Sequence, residues 1–275
     1  MRLVSFRRET GIASFGRIAG DQVHDLGGEH GGSLRQGLAG GIDPHSNGDL
    51  RALTGLALLP VIPDPAKIFC IGLNYASHIA EMGNTQPAYP TVFTRWADTL
   101  VAHGAPLEKP AATQRFDYEG ELAVIIGRGG RAIARERAME HVAGYSIFND
   151  ASVRDWQRHS SQFTPGKNFP ATGGFGPALV TPDEIDDLAA LRVQTRLHGT
   201  MMQDQALTDL IFDVPALIEY LSAFTALSPG DVIATGTPGG VGDGRTPPVY
   251  LQPGDVVEVS IGTIGTLTNP VVEGR

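Results

Sequence analysis

Two Pro-Gly-Asp turns, in SPGD at 228–231 and QPGD at 252–255, each launch an alternating apolar segment, DVIATGT and DVVEVSIGTIGTL. Proline presets one turn dihedral and glycine supplies the positive φ, so both sites mark chain reversals. The period-two alternation that follows is that of half-buried strands. The same punctuation runs through the whole chain, with 35 Gly and 19 Pro in 275 residues. Such spacing leaves little room for long helices and disfavours a helical bundle. Further short strands are expected at 68–73, 121–126 and 144–148. Helices are expected at 77–82 (ended by Gly83), 135–141 and 214–221. The fold class that follows is α+β and rich in β.

Hydrophobic residues make up 41% and charged residues 19%, which suits a globular chain and excludes a disordered one. No run of eighteen apolar residues offers a membrane-spanning helix. The opening MRLVSFRRETG lacks the apolar stretch of a secretory signal, so a cytoplasmic protein is expected. One cysteine, Cys70, excludes a disulfide framework and a multi-cysteine zinc site; inside an apolar run it reads as a packed residue. A net charge of −9 matches nucleic acid poorly. The first sixty residues hold a hairpin-like unit, SFGRIAGDQVHDLGG, then a glycine-rich stretch with room for a short helix. PVIPDPAK at 60–67 reads as a linker, which divides the chain into a small N-terminal domain, 1–62, and a larger one, 63–275.

The strongest chemical signal is FDYEGELAVII. Glu119 and Glu121 stand two apart, so a strand would point both carboxylates to one face. Two charges on a buried face need a cation, and a hard divalent metal is the simplest; on an edge strand they would merely be solvated. Asp150 ends the apolar run GYSIF and is either a turn residue or the third carboxylate of an acidic metal site. Arg154 and Gln157 follow four and seven residues later, where a helix would place them beside Asp150, suited to a carboxylate-bearing substrate. In NYASHIAEMG, His78 and Glu81 are three apart: a surface pair, or an imidazole oriented by a carboxylate to act as a base. Lys167, in TPGKNF, is either a surface lysine or an electrostatic stabiliser on a rigid loop. The loop ATGTPGGVGDG lacks the Gly-Lys-Ser/Thr of a phosphate loop, and reads as a tight turn whose N–H groups, with Thr237, can meet an anion. No Gly-x-Ser-x-Gly elbow is present.

Together IGLNYASHIAEMG, DYEGELAVIIGR, GYSIFNDASVRDWQ, Lys167, Gly176-Pro177 and LSPGDVIATGTPGGVG resemble the fumarylacetoacetate hydrolase superfamily, in order from about residue 67 to 270. The resemblance implies a catalytic domain of mixed β-sheets beside a small N-terminal domain, in a homodimer. It implies metal binding at Glu119, Glu121 and Asp150, with Mg²⁺ or Mn²⁺ as the cofactor. It assigns a catalytic dyad on a lid to His78 and Glu81, a catalytic lysine to Lys167, and substrate contacts to Arg154, Gln157 and Thr237. Three departures stand out: FTR, with Arg95 where many members carry lysine; His198-Gly199 where Asn-Gly is common; and the unusually glycine-rich NFPATGGFGP after Lys167.

The expected reaction is metal-dependent hydrolysis of a C–C bond in a 2,4-dioxo acid, an acylpyruvate such as fumarylpyruvate. His78 would activate water, and the metal and Lys167 would stabilise the pyruvate enolate. The same site also serves decarboxylation or keto–enol tautomerisation of oxaloacetate-like acids, and isomerisation of hydroxymuconates. A non-catalytic binding protein is the alternative from another class, though the acids, the dyad and the lysine are all present.

Overall fold

A computed structural model describes residues 1–43 and 45–275. A large mixed sheet of twelve strands dominates the fold. Its centre is the strand Gly120–Ile126, which lies between Val142–Asn149 and Val232–Ala234. Both faces of this strand are buried, and its residues sort by the pleat. Leu122, Val124 and Ile126 pack with Val193, Val259, Ile261 and Leu267 of a second, five-stranded sheet, and with Leu217, Ile218 and Leu221 of the helix Val214–Phe224. Ala123 and Ile125 face the other way, onto Phe148, Phe175, Leu179 and Cys70.

The N-terminal segment continues the large sheet. Strand Arg2–Arg7 pairs antiparallel with Gly173–Val180, Arg2 opposite Val180. The expected hairpin forms between Ala13–Ala19 and Gln22–Asp25, across Gly20 at φ 64°. Val61 and Ile62, between the prolines of the 60–67 stretch, are fully buried, and Ser5 Oγ donates to the Val61 carbonyl. Among the described residues no helix is long and apolar enough to cross a membrane.

Several elements differ from expectation. The helix expected at 135–141 is present, in the tighter 3₁₀ form. Its buried residues, Ala138 and His141, are three apart, the spacing that a three-residue turn aligns. DVVEVSIGTIGTL is two strands, Val256–Ile261 and Gly265–Glu273, paired antiparallel across Gly262 at φ 41°. DVIATGT is a strand only over Val232–Ala234, and there it is buried on both faces rather than one. Its parallel pairing with Ile68–Gly72 puts it inside the sheet. Asp150 is not on a helix with Arg154 and Gln157, because the short strand Ser152–Val153 intervenes before the single turn Arg154–Gln157.

Asp25, at the end of its strand, gathers Arg8 (2.8 Å), Arg51 (2.7 Å) and the Ser14 hydroxyl (2.5 Å). Burial alone would raise its carboxyl, but the hydrogen bonds from Arg8, Ser14 and Arg51 overcome that and hold it at about 2, below the usual 3.8. A depressed carboxyl stabilises the fold above its unfolded pKa and loses that contribution as pH falls toward its folded one. Asp25→Asn is therefore expected to cost about 2 kcal/mol at pH 7. The gap to wild type should close between about pH 4 and pH 2. Denaturant midpoints of both proteins measured across that range check it; a gap that persists at pH 2 would assign the loss to packing instead.

Candidate active site

The site lies where the central strand begins, and it was built for carboxylates. Glu119, Glu121 and Asp150 are all buried, with ligand oxygens within 4.8 Å of one another. Backbone bonds hold two of them in register: Asp150 N–H donates to the Glu119 carbonyl at 2.8 Å, and Glu119 N–H to Asn149 Oδ1 at 3.0 Å. The cation supply around them is uneven. Lys167 Nζ is 2.7 Å from Glu119 Oε2 and 2.6 Å from Asp150 Oδ2. Arg95 Nη1 donates to Asp150 Oδ1 at 2.7 Å, and Arg154 Nη1 is 2.7 Å from Glu119 Oε1. Glu121 has, among the described residues, only the Gly236 N–H at 2.9 Å.

The pKa directions follow that imbalance. Burial raises Glu119, but Lys167 and Arg154 pull it below its usual value. Burial, then Asp150 and Glu119, push Glu121 well above it. Burial lowers Lys167, yet Asp150 and Glu119 outweigh that and keep it charged. Three convergent carboxylates, one of them without a cation of its own, are a donor set that fits a hard divalent ion. The residues present therefore fit the expected metal.

Lys167 is no surface residue; it ends the helical turn Thr164–Lys167, 1% exposed, with its ammonium 5.1 Å over the Phe93 ring. His78 and Glu81 lie on the helix Ala76–Glu81, which stops before Gly83 at φ 65°. His78 Nδ1 is 3.6 Å from Glu81 Oε2, close but too long for a hydrogen bond. Glu81 is held from the other side by the Gly240 N–H, 3.0 Å from each oxygen. Burial raises the Glu81 carboxyl, but His78 and this N–H bring it below its usual value.

The glycine-rich loop does meet anions, and they are the protein's own carboxylates. Its N–H groups bind Glu121 through Gly236, Glu81 through Gly240, and Asp117 through Gly242 and Asp243. No side chain could replace hydrogen at Gly240, where a Cβ would lie 2.1 Å from the Met202 carbonyl oxygen and φ is 101°. Thr237 Oγ1 donates to the Gly120 carbonyl and accepts from Gln203, so its proton is committed within the fold.

A cavity of about 350 Å³ joins these groups; His78, Glu119, Glu121, Arg154, Gln157, Lys167 and Thr237 all line it. Asp150 forms part of the acidic cluster beneath. Of the departures, neither Arg95 nor His198 lines the cavity: Arg95 is fully buried behind Asp150, also bonded to the Ala151 carbonyl and Thr172, and His198 sits in the exposed turn between Arg192–Leu197 and Thr200–Ala206, 2.7 Å from Asp255. Sequence reasoning passed over Asp117, which takes Arg154 Nε at 2.9 Å and ties it to the loop. The signal was in the motif: D-Y-E-G-E places three acids at intervals of two. Arg158 at the cavity rim was also missed.

The profile of the fumarylacetoacetate (FAA) hydrolase C-terminal family matches residues 67–272. The chain belongs to the fumarylacetoacetate hydrolase family. Within the family, it is 44% identical over 224 residues to "Oxaloacetate tautomerase YisK" of Bacillus subtilis, spanning 80% of this chain and 74% of that protein. It is 42% identical over 229 residues, 82% and 72% of the two chains, to "Oxaloacetate tautomerase fahd2, mitochondrial" of Xenopus laevis. A solved 5-carboxymethyl-2-hydroxymuconate delta-isomerase from Mycobacterium smegmatis superposes over the full length of both chains, with TM-score 0.84 and 32% identity.

These relatives correct the expectation of C–C hydrolysis in an acylpyruvate. They are tautomerases and an isomerase, which fits the alternative expectation better. The expectation leaned on the His78–Glu81 pair as an activator of water. That pair does not discriminate, since a base that takes a proton from water can equally take one from carbon.

Proposed function

We propose that this member of the family catalyses keto–enol tautomerisation of oxaloacetate or a closely related 2-oxo acid. The observation that carries the reading is the shared chemistry of its tautomerase relatives, together with a cavity that sets a proton-transfer pair against a buried acidic floor. His78 takes a proton from C3 of the substrate, the C–H electron pair becomes the C2–C3 double bond, and the proton is returned to the 2-oxo oxygen. Glu81 orients the imidazole and stabilises its protonated form, once the 3.6 Å gap closes on substrate. Lys167 brings a buried positive charge to the side where the oxygen becomes negative, pre-organised by Glu119 and Asp150. Gln157 accepts from Arg154 through Oε1, which leaves its amide nitrogen as the end that donates to substrate. A divalent ion held by Glu119, Glu121 and Asp150, in our reading Mg²⁺ or Mn²⁺, would supply the remaining positive charge at the substrate's oxygens.

The test follows the ultraviolet absorbance of enol-oxaloacetate mixed with metal-loaded protein. Enol decay accelerated over the buffer rate, abolished by a chelator, with no pyruvate and no carbon dioxide formed, is the expected result. Pyruvate accumulating in step with the absorbance change would overturn the tautomerase reading.

A further inference from the structure

Three cations line the cavity, and two of them are fixed in buried ion pairs with the protein's own acids. Lys167 is enclosed by Glu119 and Asp150. Arg154, 3% exposed, gives Nε to Asp117 and Nη1 to Gln157, with Nη1 also 2.7 Å from Glu119 and Nη2 2.8 Å from Asp117. The third, Arg158, is different. Its one side-chain partner among the described residues is Asp243, Nη2 to Oδ2 at 2.6 Å, and it is 55% exposed. A guanidinium carries five N–H donors, so most of this one remains free.

Asp243 does not neutralise Arg158, because the same carboxylate also takes Arg115 and the Tyr250 hydroxyl. Two arginines share one acid, so the group of Arg115, Arg158 and Asp243 carries a net positive charge, and its Arg158 lines the cavity. Arg158 follows Arg154 by four residues across a single helical turn, so both project on one side, Arg154 inward and Arg158 at the mouth. Leu73, Met82 and Phe163 also line the cavity and are apolar, and Asn84 offers a neutral amide without the charge of a guanidinium.

We propose that Arg158 is a specificity-determining residue that binds the distal carboxylate of the substrate and so selects 2-oxo dicarboxylates over 2-oxo monocarboxylates. This rests on the tautomerase reading and extends it to the substrate class. Oxaloacetate carries a carboxylate at each end of the reacting C2–C3 pair. With the 2-oxo acid end toward the acidic floor, where a divalent ion would be held, the other end points to the mouth, where Arg158 offers a fork of parallel donors. Its anchor, Asp243, stands in the loop that also grips Glu81. A filled carboxylate site is thereby linked to the element that holds the dyad.

The test uses magnesium-loaded wild-type protein, Arg158→Gln and Arg158→Lys, and two ligands without a C3 hydrogen. One is 2-oxo-3,3-dimethylsuccinate; the other, 2-oxo-3,3-dimethylbutyrate, replaces its distal carboxylate by methyl. Neither can enolise, so calorimetric binding reads recognition apart from tautomerisation; the dicarboxylate is still a β-keto acid, so the titration is run with carbon dioxide release monitored and is read only where none occurs. Wild type should prefer the dicarboxylate, and R158Q should lose about ten- to a hundredfold of that preference, as expected for one charge-assisted bond. R158K should keep part of it, and added salt should erode it in wild type but not in R158Q. The ratio of oxaloacetate to 2-oxobutyrate kcat/KM should fall in parallel. An unchanged binding ratio in R158Q, with the same Tm, would overturn the proposal. Wild type that prefers the dicarboxylate but leaves enol-oxaloacetate untouched would instead overturn the reaction and leave the recognition standing.

Discussion

Replacing His78 by Asn is expected to lower kcat for oxaloacetate tautomerisation by about 10²- to 10⁴-fold, the usual worth of a positioned general base. The imidazole is the one group at the cavity wall with both a ring nitrogen for the substrate and a carboxylate, Glu81, placed to stabilise its protonated form. His78 is itself buried, but its helix gives the apolar core only Ile79 and Asn keeps a polar side chain at the site, so the variant should melt close to wild type. It should also bind Mg²⁺ with wild-type affinity, because His78 is outside the Glu119–Glu121–Asp150 cluster. Glu81→Gln should fall less than His78→Asn, since the Gly240 N–H would still hold the side chain in place. A His78→Asn protein that binds metal, folds, and keeps a rate near wild type would remove the dyad from the mechanism.

Substituting the acids should separate charge from fold in opposite directions. Asp150→Asn removes the partner shared by two fully buried cations, Arg95 and Lys167. Breaking a buried ion pair on one side costs about 3–5 kcal/mol, because the remaining charge is left uncompensated. Glu121→Gln should behave in the reverse sense. Burial and the neighbouring Asp150 and Glu119 already disfavour its ionised form, and the Gly236 N–H can still donate to the amide oxygen. Metal-free Glu121→Gln is therefore expected to be at least as stable as metal-free wild type, while metal binding is lost in both variants. Thermal melts with and without Mg²⁺ read this out: the ion should raise the Tm of wild type and of neither variant. A Glu121→Gln protein that melts well below metal-free wild type would mean that Glu121 serves the fold rather than the ion.

Much of this was legible in the chain itself. Alternation after turn residues marked the strands, because a pleated backbone imposes a period of two wherever one face is buried. It misled where a strand is buried on both faces, at Val232–Ala234, and where a hairpin turned inside one alternating run, at Gly262. Acids at intervals of two where an apolar strand begins announced a charge that needs a cation, and the ordered motifs pointed to the family. The sequence did not tell tautomerase from hydrolase, because both reactions use the same carboxylates and the same base. What only the tertiary structure decided is the distribution of charge. Lys167, a loop residue by its local sequence, becomes the buried bridge between Glu119 and Asp150, and Arg95 becomes the support behind them. Arg154 is spent on Asp117 and Glu119, whereas Arg158, four residues on, remains available. Local pattern specifies which residues share a strand or a turn; which cation meets which carboxylate depends on segments dozens of residues apart arriving at one place, and that follows from packing alone.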